Sequence, residues 1–293
     1  MHQLPLDLPE LFPASPWCQR RSPGRRHSWR HRNEGGFDPR HYGVSGIPEL
    51  EARRFIEERH YSGTYPAARL RYGLFDLQRQ APELVGAAVL SIPASKSVLT
   101  NVFPQLEPYD ESLELGRFVL DDAVPGNGET WFLAEVLRLA GAVGVRGLVS
   151  FADPLPRTTL DGRIIFPGHR GAIYQAASAE YLGRGTPRTL TLLPNGMVLH
   201  PRAMSKIRNQ EQGRAYAERL LVAHGASLMN SGDDPRRWLE EALTAANTRR
   251  LWHPGNHRYA LRAGTRAQRR RVRIPIVRQP YPKDVAIRTR GKR

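Results

Sequence analysis

Residues 148 to 152 read Leu-Val-Ser-Phe-Ala, and the next residue is an acid, Asp153. A short apolar run of this kind reads as a buried strand, which commits the chain to a sheet whose faces are covered by other elements. In open α/β sheets reactive groups collect at the carboxyl ends of strands, because side chains there leave the packed layers and face a crevice. Asp153 stands at such an end and is the first candidate for chemistry. About one helix further on, Gly168-His169-Arg170-Gly171-Ala172-Ile173-Tyr174-Gln175-Ala176-Ala177 carries a Tyr-Gln pair into a small-residue helix expected over 171–181.

Upstream, proline at 48 is pre-shaped for a first helical turn, and Ala52, Ile56 and His60 then recur at spacing four, which puts His60 at the helix end. Residues 72–77 and 84–92 read as strands joined by a polar turn with Pro82, and 113–120 as another, its apolar run broken by Glu114 and Arg117. Antiparallel pairing is expected among them. The loop 121–128 contains Pro125, Gly126, Asn127 and Gly128 and leads into a helix from 129 to about 143, with Leu133, Val136, Leu137 and Ala140 on one face. Free backbone N–H groups at such a start attract phosphate, although Gly and Pro also simply mark loops. Residues 188–193 and 197–200 flank Pro194-Asn195-Gly196 as a hairpin, helices follow to about 248, and 256–261 looks like a last strand.

The chain carries 44 Lys and Arg against 28 Asp and Glu, a net charge of +16 over 293 residues. Lysine stands only at 96, 206, 283 and 292, so the charge is almost wholly arginine, whose planar fork suits phosphates and base edges. A genome that prefers Arg codons gives the same ratio, but not the same net charge. That surplus favours a polyanion, of which nucleic acid is the commonest. One cysteine, Cys18, excludes an internal disulfide framework and a multi-cysteine zinc site, in keeping with a reducing cytoplasm. Residues 1–16 lack the basic start and apolar run of a signal peptide, and no window approaches a membrane span, so no membrane partner is expected.

Charge also divides the chain. Residues 1–44 form a basic arm, with Arg25, Arg26 and Arg30 among aromatics suited to stacking and phosphate contact; a solvated leader is the alternative. A core is expected over 45–200 and a helical extension over 201–261. From Arg262 to 293 twelve basic residues meet one acid, Asp284, which reads as an extended tail with Arg269, Arg270 and Arg271 as further DNA contacts.

A helix, antiparallel strands, a strand, a Gly-bearing loop, a helix, a strand, a helix and a closing hairpin is the element order of a GNAT acyltransferase. Within it, His60-Tyr61-Ser62-Gly63, Glu114-Leu115-Gly116-Arg117-Phe118, Ser150-Phe151-Ala152-Asp153 and Ile173-Tyr174-Gln175-Ala176 resemble, in order and spacing, motifs of the phage-derived Mom family of DNA adenine modification proteins. The resemblance covers about 45–200. It implies an α/β (α+β) fold with a central mixed, mostly antiparallel sheet flanked by helices. It also implies conversion of adenine in double-stranded DNA to its N6-carbamoylmethyl form, which protects DNA from restriction endonucleases. Matched motif by motif, the family's active-site groups fall on His60, Tyr61, Asp153 and Tyr174. Contacts to acetyl-CoA or a related acyl-CoA fall on Arg117 and the loop with Gly126, Asn127 and Gly128. That loop departs from the usual GNAT phosphate signature of Gln or Arg ahead of two spaced glycines.

An acetyltransferase needs a base for the amine and an acid for the departing thiolate; Asp153 or His60 suits the first role and Tyr174 the second. A carbamoylmethyl group places its new N–C bond at the former methyl carbon, so simple aminolysis of a thioester cannot make it. A redox metal is one way to activate that carbon, and imidazole, phenol and carboxylate from His60, Tyr61, Asp153 and Tyr174 suit iron. The alternative is that His60 caps its helix and the tyrosines pack. The target base must leave the helix, with Tyr65, Tyr72 and Trp131 as possible stacking partners or core residues. Two other functions fit the residues: a conventional acetyltransferase acting on RNA, protein or a small amine, and a non-catalytic DNA-binding protein that keeps the GNAT shell. His253 and His257 stand four apart, but Pro254 and Gly255 between them indicate a turn.

Overall fold

The structure, a computed structural model, describes residues 17–21, 27–31 and 36–283. Its elements in chain order are β1 (Trp17–Arg21), β2 (His27–His31), β3 (Tyr42–Gly46), α1 (Glu49–Arg59), β4 (Ala68–Asp76), β5 (Glu83–Ser91), α2 (Ser97–Thr100), β6 (Ser112–Leu120), α3 (Gly128–Ala142) and β7 (Gly147–Ala152). There follow β8 (Arg157–Thr158), β9 (Ile164–Phe166), α4 (Ala172–Ala176), β10 (Glu180–Arg184), β11 (Arg188–Leu192), β12 (Val198–Leu199), α5 (Pro201–Arg208), α6 (Ala215–Val222), α7 (Pro235–Ala245), β13 (Arg249–His253), β14 (His257–Arg262) and α8 (Arg266–Arg271). They form two compact units, one of Met1–Phe151, Gly171–Gly183 and Arg258–Arg293, the other of Ala152–Arg170 and Arg184–His257.

The first unit is built on a seven-stranded sheet in the order β10-β14-β7-β6-β5-β4-β3. Strands β3 to β6 pair antiparallel, whereas β6 and β7 run parallel. Parallel neighbours need a long crossover, and α3 supplies it. The parallel ladder is short, pairing Ser112 with Gly147, Leu113 with Leu148 and Glu114 with Val149. Helix α1 lays Ala52, Phe55 and Ile56 against Ala87, Val89 and Val119 of the sheet. Elsewhere Leu99, Val102 and Phe103 pack with Val149, Leu182, Ala260 and Val272. This is the mixed, mostly antiparallel α/β arrangement expected from the sequence, with β4 to β7 and β14 near their expected bounds.

The second unit has a three-stranded antiparallel sheet, β12-β11-β13, and the small hairpin β8-β9. Its core joins Leu193 and Leu199 to Met204 and Ile207 of α5, Leu221 of α6, and Trp238 and Leu239 of α7. The turn at 194–196 takes a positive φ only at Gly196, at 79°, so it is a three-residue loop with one left-handed position.

Three expectations are corrected. The helix over 171–181 stops at Ala176, because Ser178 takes a φ of 59° and Glu180 already opens β10. The arm ending at 44 is cut across by β3, which pairs with β4. The tail is not extended throughout. Thr265 and Gln268 cap each other's backbone to start α8, and Val272 is buried, with Ile274 and Ile276 packed beside it in the core. Among the described residues no helix is long and apolar enough to cross a membrane.

Helix α3 approaches the turn before α8 through two glycines: a Cβ on Gly141 would stand 2.5 Å from the backbone N of Gly264. Backbone on the far side cannot swing away as a side chain can. Gly141→Ala is therefore expected to destabilise the chain by about 1–3 kcal/mol, read from a urea melt.

Candidate active site

In the first unit, the site grows from an irregularity in β6. Leu115 pairs with Leu90 and Arg117 with Val89, so Gly116 is an extra residue, a bulge. The extra residue turns Glu114 and Arg117, three apart in sequence, to the same face. A Cβ at Gly116 would collide with Ser91 Oγ, so a side chain there would require Ser91 to change rotamer. Glu114 also sits in the last pair of the parallel ladder, where β6 and β7 cease to be bonded.

Arg117 is held by the loop after α1. Its Nε and Nη2 donate to Thr64 O and Oγ1 at 2.9 and 2.8 Å, and Nη1 donates to Gly116 O at 2.6 Å. The same loop starts with His60, whose backbone N–H closes α1 on Ile56 O at 2.8 Å. The ring is buried, its Nδ1 accepts from Ser62 N at 3.2 Å and lies 2.9 Å from Ser62 Oγ, and its centroid is 4.2 Å from that of Tyr61. His60 thus does cap its helix, and the cap places Tyr61 beside it.

Tyr174 enters from α4, whose start is fixed by Gly171 at φ 72°. It is buried, and its ring lies 5.3 Å from that of Tyr259, which receives a 3.1 Å hydrogen bond from Gln175 Nε2. Burial, with the charges of Tyr61 and Glu114 adding to it, pushes the Tyr174 phenol up to about 12. Burial likewise raises the Glu114 carboxyl against the pull of Arg117. The Arg117 guanidinium is lowered by burial and partly restored by Tyr61, Glu114 and Tyr174. These four groups therefore share one electrostatic neighbourhood, in which burial raises the carboxyl and leaves the phenol holding its proton.

Glu114 is the residue that sequence reasoning passed over. It read as an interruption of an apolar strand. The available signal was that same interruption, since a carboxylate between Leu113 and Leu115, exposed at 0% and 3%, is costly to bury without a task.

At the expected acyl-CoA loop, Asn127 takes a left-handed φ of 76° and makes no side-chain cap on α3, which leaves the helix start to its backbone groups. That suits a phosphate in part. Gly128, however, is packed against Val124 and Phe37, and Glu129 adds an acid to the first turn. Tyr72 is buried in β4, Trp131 packs at 5.3 Å from Phe37, and Arg53 lies 4.5 Å over the Tyr65 ring, so all three stacking candidates are engaged in packing.

Asp153 belongs to the second unit, as do its partners. Oδ1 lies 2.9 Å from His253 Nε2 and accepts from Leu155 N at 2.9 Å, and Oδ2 accepts from Arg157 at 2.5 Å. Gly255 N donates to His253 Nδ1 at 3.0 Å, which leaves the proton on Nε2 to face Asp153. Burial raises the carboxyl, but the His253, Leu155 and Arg157 contacts outweigh it and hold Asp153 below its ordinary range. His253 is fully buried, and the carboxylate joins β13 to the segment after β7. The strand β13 was not foreseen from the sequence, nor was the part played by His253. His257, at the start of β14, is lowered to about 4 by burial and by Arg184 and Arg170.

Iron finds a poor fit. Among the described residues no three His, Cys, Asp or Glu side chains gather to hold a metal ion, and Asp153 already has both oxygens in use. Of the expected DNA contacts, Arg25 and Arg26 lie outside the described residues, Arg30 is paired with Cys18 in the β1-β2 hairpin, and Arg269, Arg270 and Arg271 form the last turn of α8.

The first unit is thus a mixed sheet that opens at one parallel pair, with helices on its flanks and the cluster of Tyr61, Glu114, Arg117 and Tyr174 in it. The sequence profile of the Mom protein family matches residues 41–283, and the chain belongs to that family. No curated protein matches it. Among solved structures, a tandem GNAT protein from the clavulanic acid biosynthesis pathway is 11% identical, with a TM-score of 0.33 over 76% of this chain and 75% of its own. An insect "putative arylalkylamine N-acetyltransferase 7" from the yellow fever mosquito is 11% identical, with a TM-score of 0.32 over 84% of this chain and 93% of its own. A "putative phosphinothricin N-acetyltransferase" is 12% identical, with a TM-score of 0.29 over 51% and 86% respectively.

Removing the Asp153 charge leaves Arg157 buried without its anion. Asp153→Asn is expected to cost about 3 kcal/mol in a denaturant melt. Because the folded carboxyl titrates below its free value, its share of stability is complete above the unfolded range and is lost as pH falls through the folded value. The variant should therefore show a flatter stability profile below about pH 4.

Proposed function

We propose that this chain modifies adenine in DNA, attaching a carbamoylmethyl group to N6 with an acyl-CoA as the source of the two-carbon unit, and so protects that DNA from restriction endonucleases. The observation that carries the reading is the cluster of Tyr61, Glu114, Arg117 and Tyr174 within a match to the Mom family that spans 41–283. Three of those residues lie in motifs shared with the family's proposed site, and the fourth, Glu114, stands in the motif that carries Arg117.

In this reading Glu114 accepts the proton that N6 gives up, since a carboxyl with a raised pKa is a better base than an ordinary one. The N–C bond at the former methyl carbon replaces a C–H bond with two electrons passing to an external oxidant, and an ammonia-class donor displaces the thioester sulfur as the free thiol, so both enter as co-reactants. Tyr174, a phenol at all working pH, donates a hydrogen bond to the oxygen or sulfur on which negative charge grows. Arg117 fixes the Tyr61 loop through Thr64. Asp153, bound by three donors, positions β13 and the segment after β7. The acyl-CoA, when bound, supplies the carbon unit, and the uncapped start of α3 with Gly126, Asn127 and Gly128 is where its phosphates would be held. No step is assigned to iron.

Mass spectrometry of nucleosides from plasmid DNA recovered from cells expressing the chain tests this. A carbamoylmethyl adenosine is expected with the wild type and a drop of about 10²–10⁴-fold in rate with Glu114→Gln. The loss of Glu114 should also abolish the fall in activity on the acid side of its titration, where the protonated carboxyl no longer accepts. An acetyl-sized shift on another acceptor would replace the reading with conventional acyl transfer. Unmodified DNA from soluble wild-type protein, still bound tightly, would replace it with a binding role.

A further inference from the structure

The basic tail, read from sequence as extended, instead forms one wall of a depression of ≈ 500 Å³ in the first unit. The wall is Arg262, Arg266, Arg269 and Arg270; Leu137 of α3 and Glu180 of β10 lie across it. We propose that this depression is a seat for the phosphodiester backbone of double-stranded DNA, gripping a phosphate of the duplex beside the target base. The proposal rests on the DNA reading above and adds to it where the duplex is held.

Charge pairing is the first reason. Some exposed arginines elsewhere have carboxylate partners, as Arg53 has Glu49, Arg54 has Glu58, Arg69 has Asp110, Arg138 has Glu135 and Arg237 has Glu241. Others, such as Arg163, Arg208, Arg236 and Arg250, make no ion pair among the described residues; what sets the depression apart is that such arginines gather within residues 266–273. In the depression only Arg262 is matched, by Glu180. Arg266, Arg269 and Arg270 are exposed and make no ion pair among the described residues, and neither do the adjacent Arg271 and Arg273. A run of like charges this close repels itself unless an anion lies among it. Basic residues in the last turn do favour the helix dipole, but that accounts for Arg269, Arg270 and Arg271 by fractions of a kcal/mol and leaves Arg266, in the first turn, on the unfavourable end.

Rigidity is the second reason. The helix that carries these side chains has six residues and could not persist alone. It is pinned at both ends: Ala263 N donates to Arg146 O at 2.9 Å ahead of it, and Arg262 Nε donates to Val272 O at 2.8 Å across it. Val272 is buried, and Ile274 and Ile276 pack with Leu99 and Phe103. A solvated tail needs none of these anchors. Guanidinium groups on a fixed helix lose less freedom when they meet a phosphate, which is what a backbone clamp requires.

The test is fluorescence anisotropy of a labelled duplex with the full chain over a range of salt. The triple variant Arg266→Gln, Arg269→Gln, Arg270→Gln should flatten the slope of log Kd against log salt by about 0.9 for each phosphate no longer neutralised, about 2–3 in all. The corresponding triple Arg→Lys variant should keep most of the slope, and Arg237→Gln all of it. All three positions are exposed, so circular dichroism melts should coincide with the wild type. An unchanged slope in the Gln variant, with wild-type binding to duplex intact, overturns this seat alone. A wild-type chain that does not bind duplex overturns the DNA reading itself, and the seat with it.

Discussion

The parallel pairing of β6 and β7 is the constraint from which the rest of the first unit follows. It lasts for three residue pairs and ends at Glu114 and Val149. A parallel pair demands a crossover, so α3 must lie between the two strands in sequence, and the loop that opens α3 comes straight after β6. Because the ladder stops early, polar groups on β6 and on the helix after β7 have somewhere to project. The Gly116 bulge then settles which ones do, by turning Glu114 and Arg117 the same way.

The resulting cluster works through burial more than through charge. Tyr174 and Glu114 are both raised because their charged forms lose water, and the Glu114 charge makes ionisation of Tyr174 harder still. Arg117 offsets part of that cost, while its own donors are committed to Thr64 and Gly116. A phenol that stays protonated beside a carboxyl that titrates high separates acid from base in one small volume, which is the division of labour that acid–base chemistry at neutral pH requires.

Asp153 shows the opposite balance. Its carboxyl is also buried, yet three donors hold it as an anion, and the result is an acid fixed in its charged state. The two carboxylates thus differ in what they can do because Asp153 has donors around it and Glu114 has an arginine already turned to other partners.

The sequence by itself determined β4 to β7, the β11-β12 hairpin and β14, the α3 crossover, the C-terminal His60 of α1 and the motifs that carry the family, because apolar periodicity and proline or glycine punctuation act over a few residues. It also determined that the chain carries a surplus of arginine. The tertiary structure decided what nearest neighbours in sequence do not encode. His253 stands 100 residues from Asp153 and meets it only once β13 is laid beside β11. Ser178 stops α4 short of the expected helix, and the tail folds because Val272 and Ile274 find a core made by residues near 100. Glu114 was visible as a letter in an apolar run, but its role depends on a ladder that ends beside it and on a bulge that aims it. Short-range preference specifies elements; which side chains share water, charge and space is set by packing between elements distant in the chain.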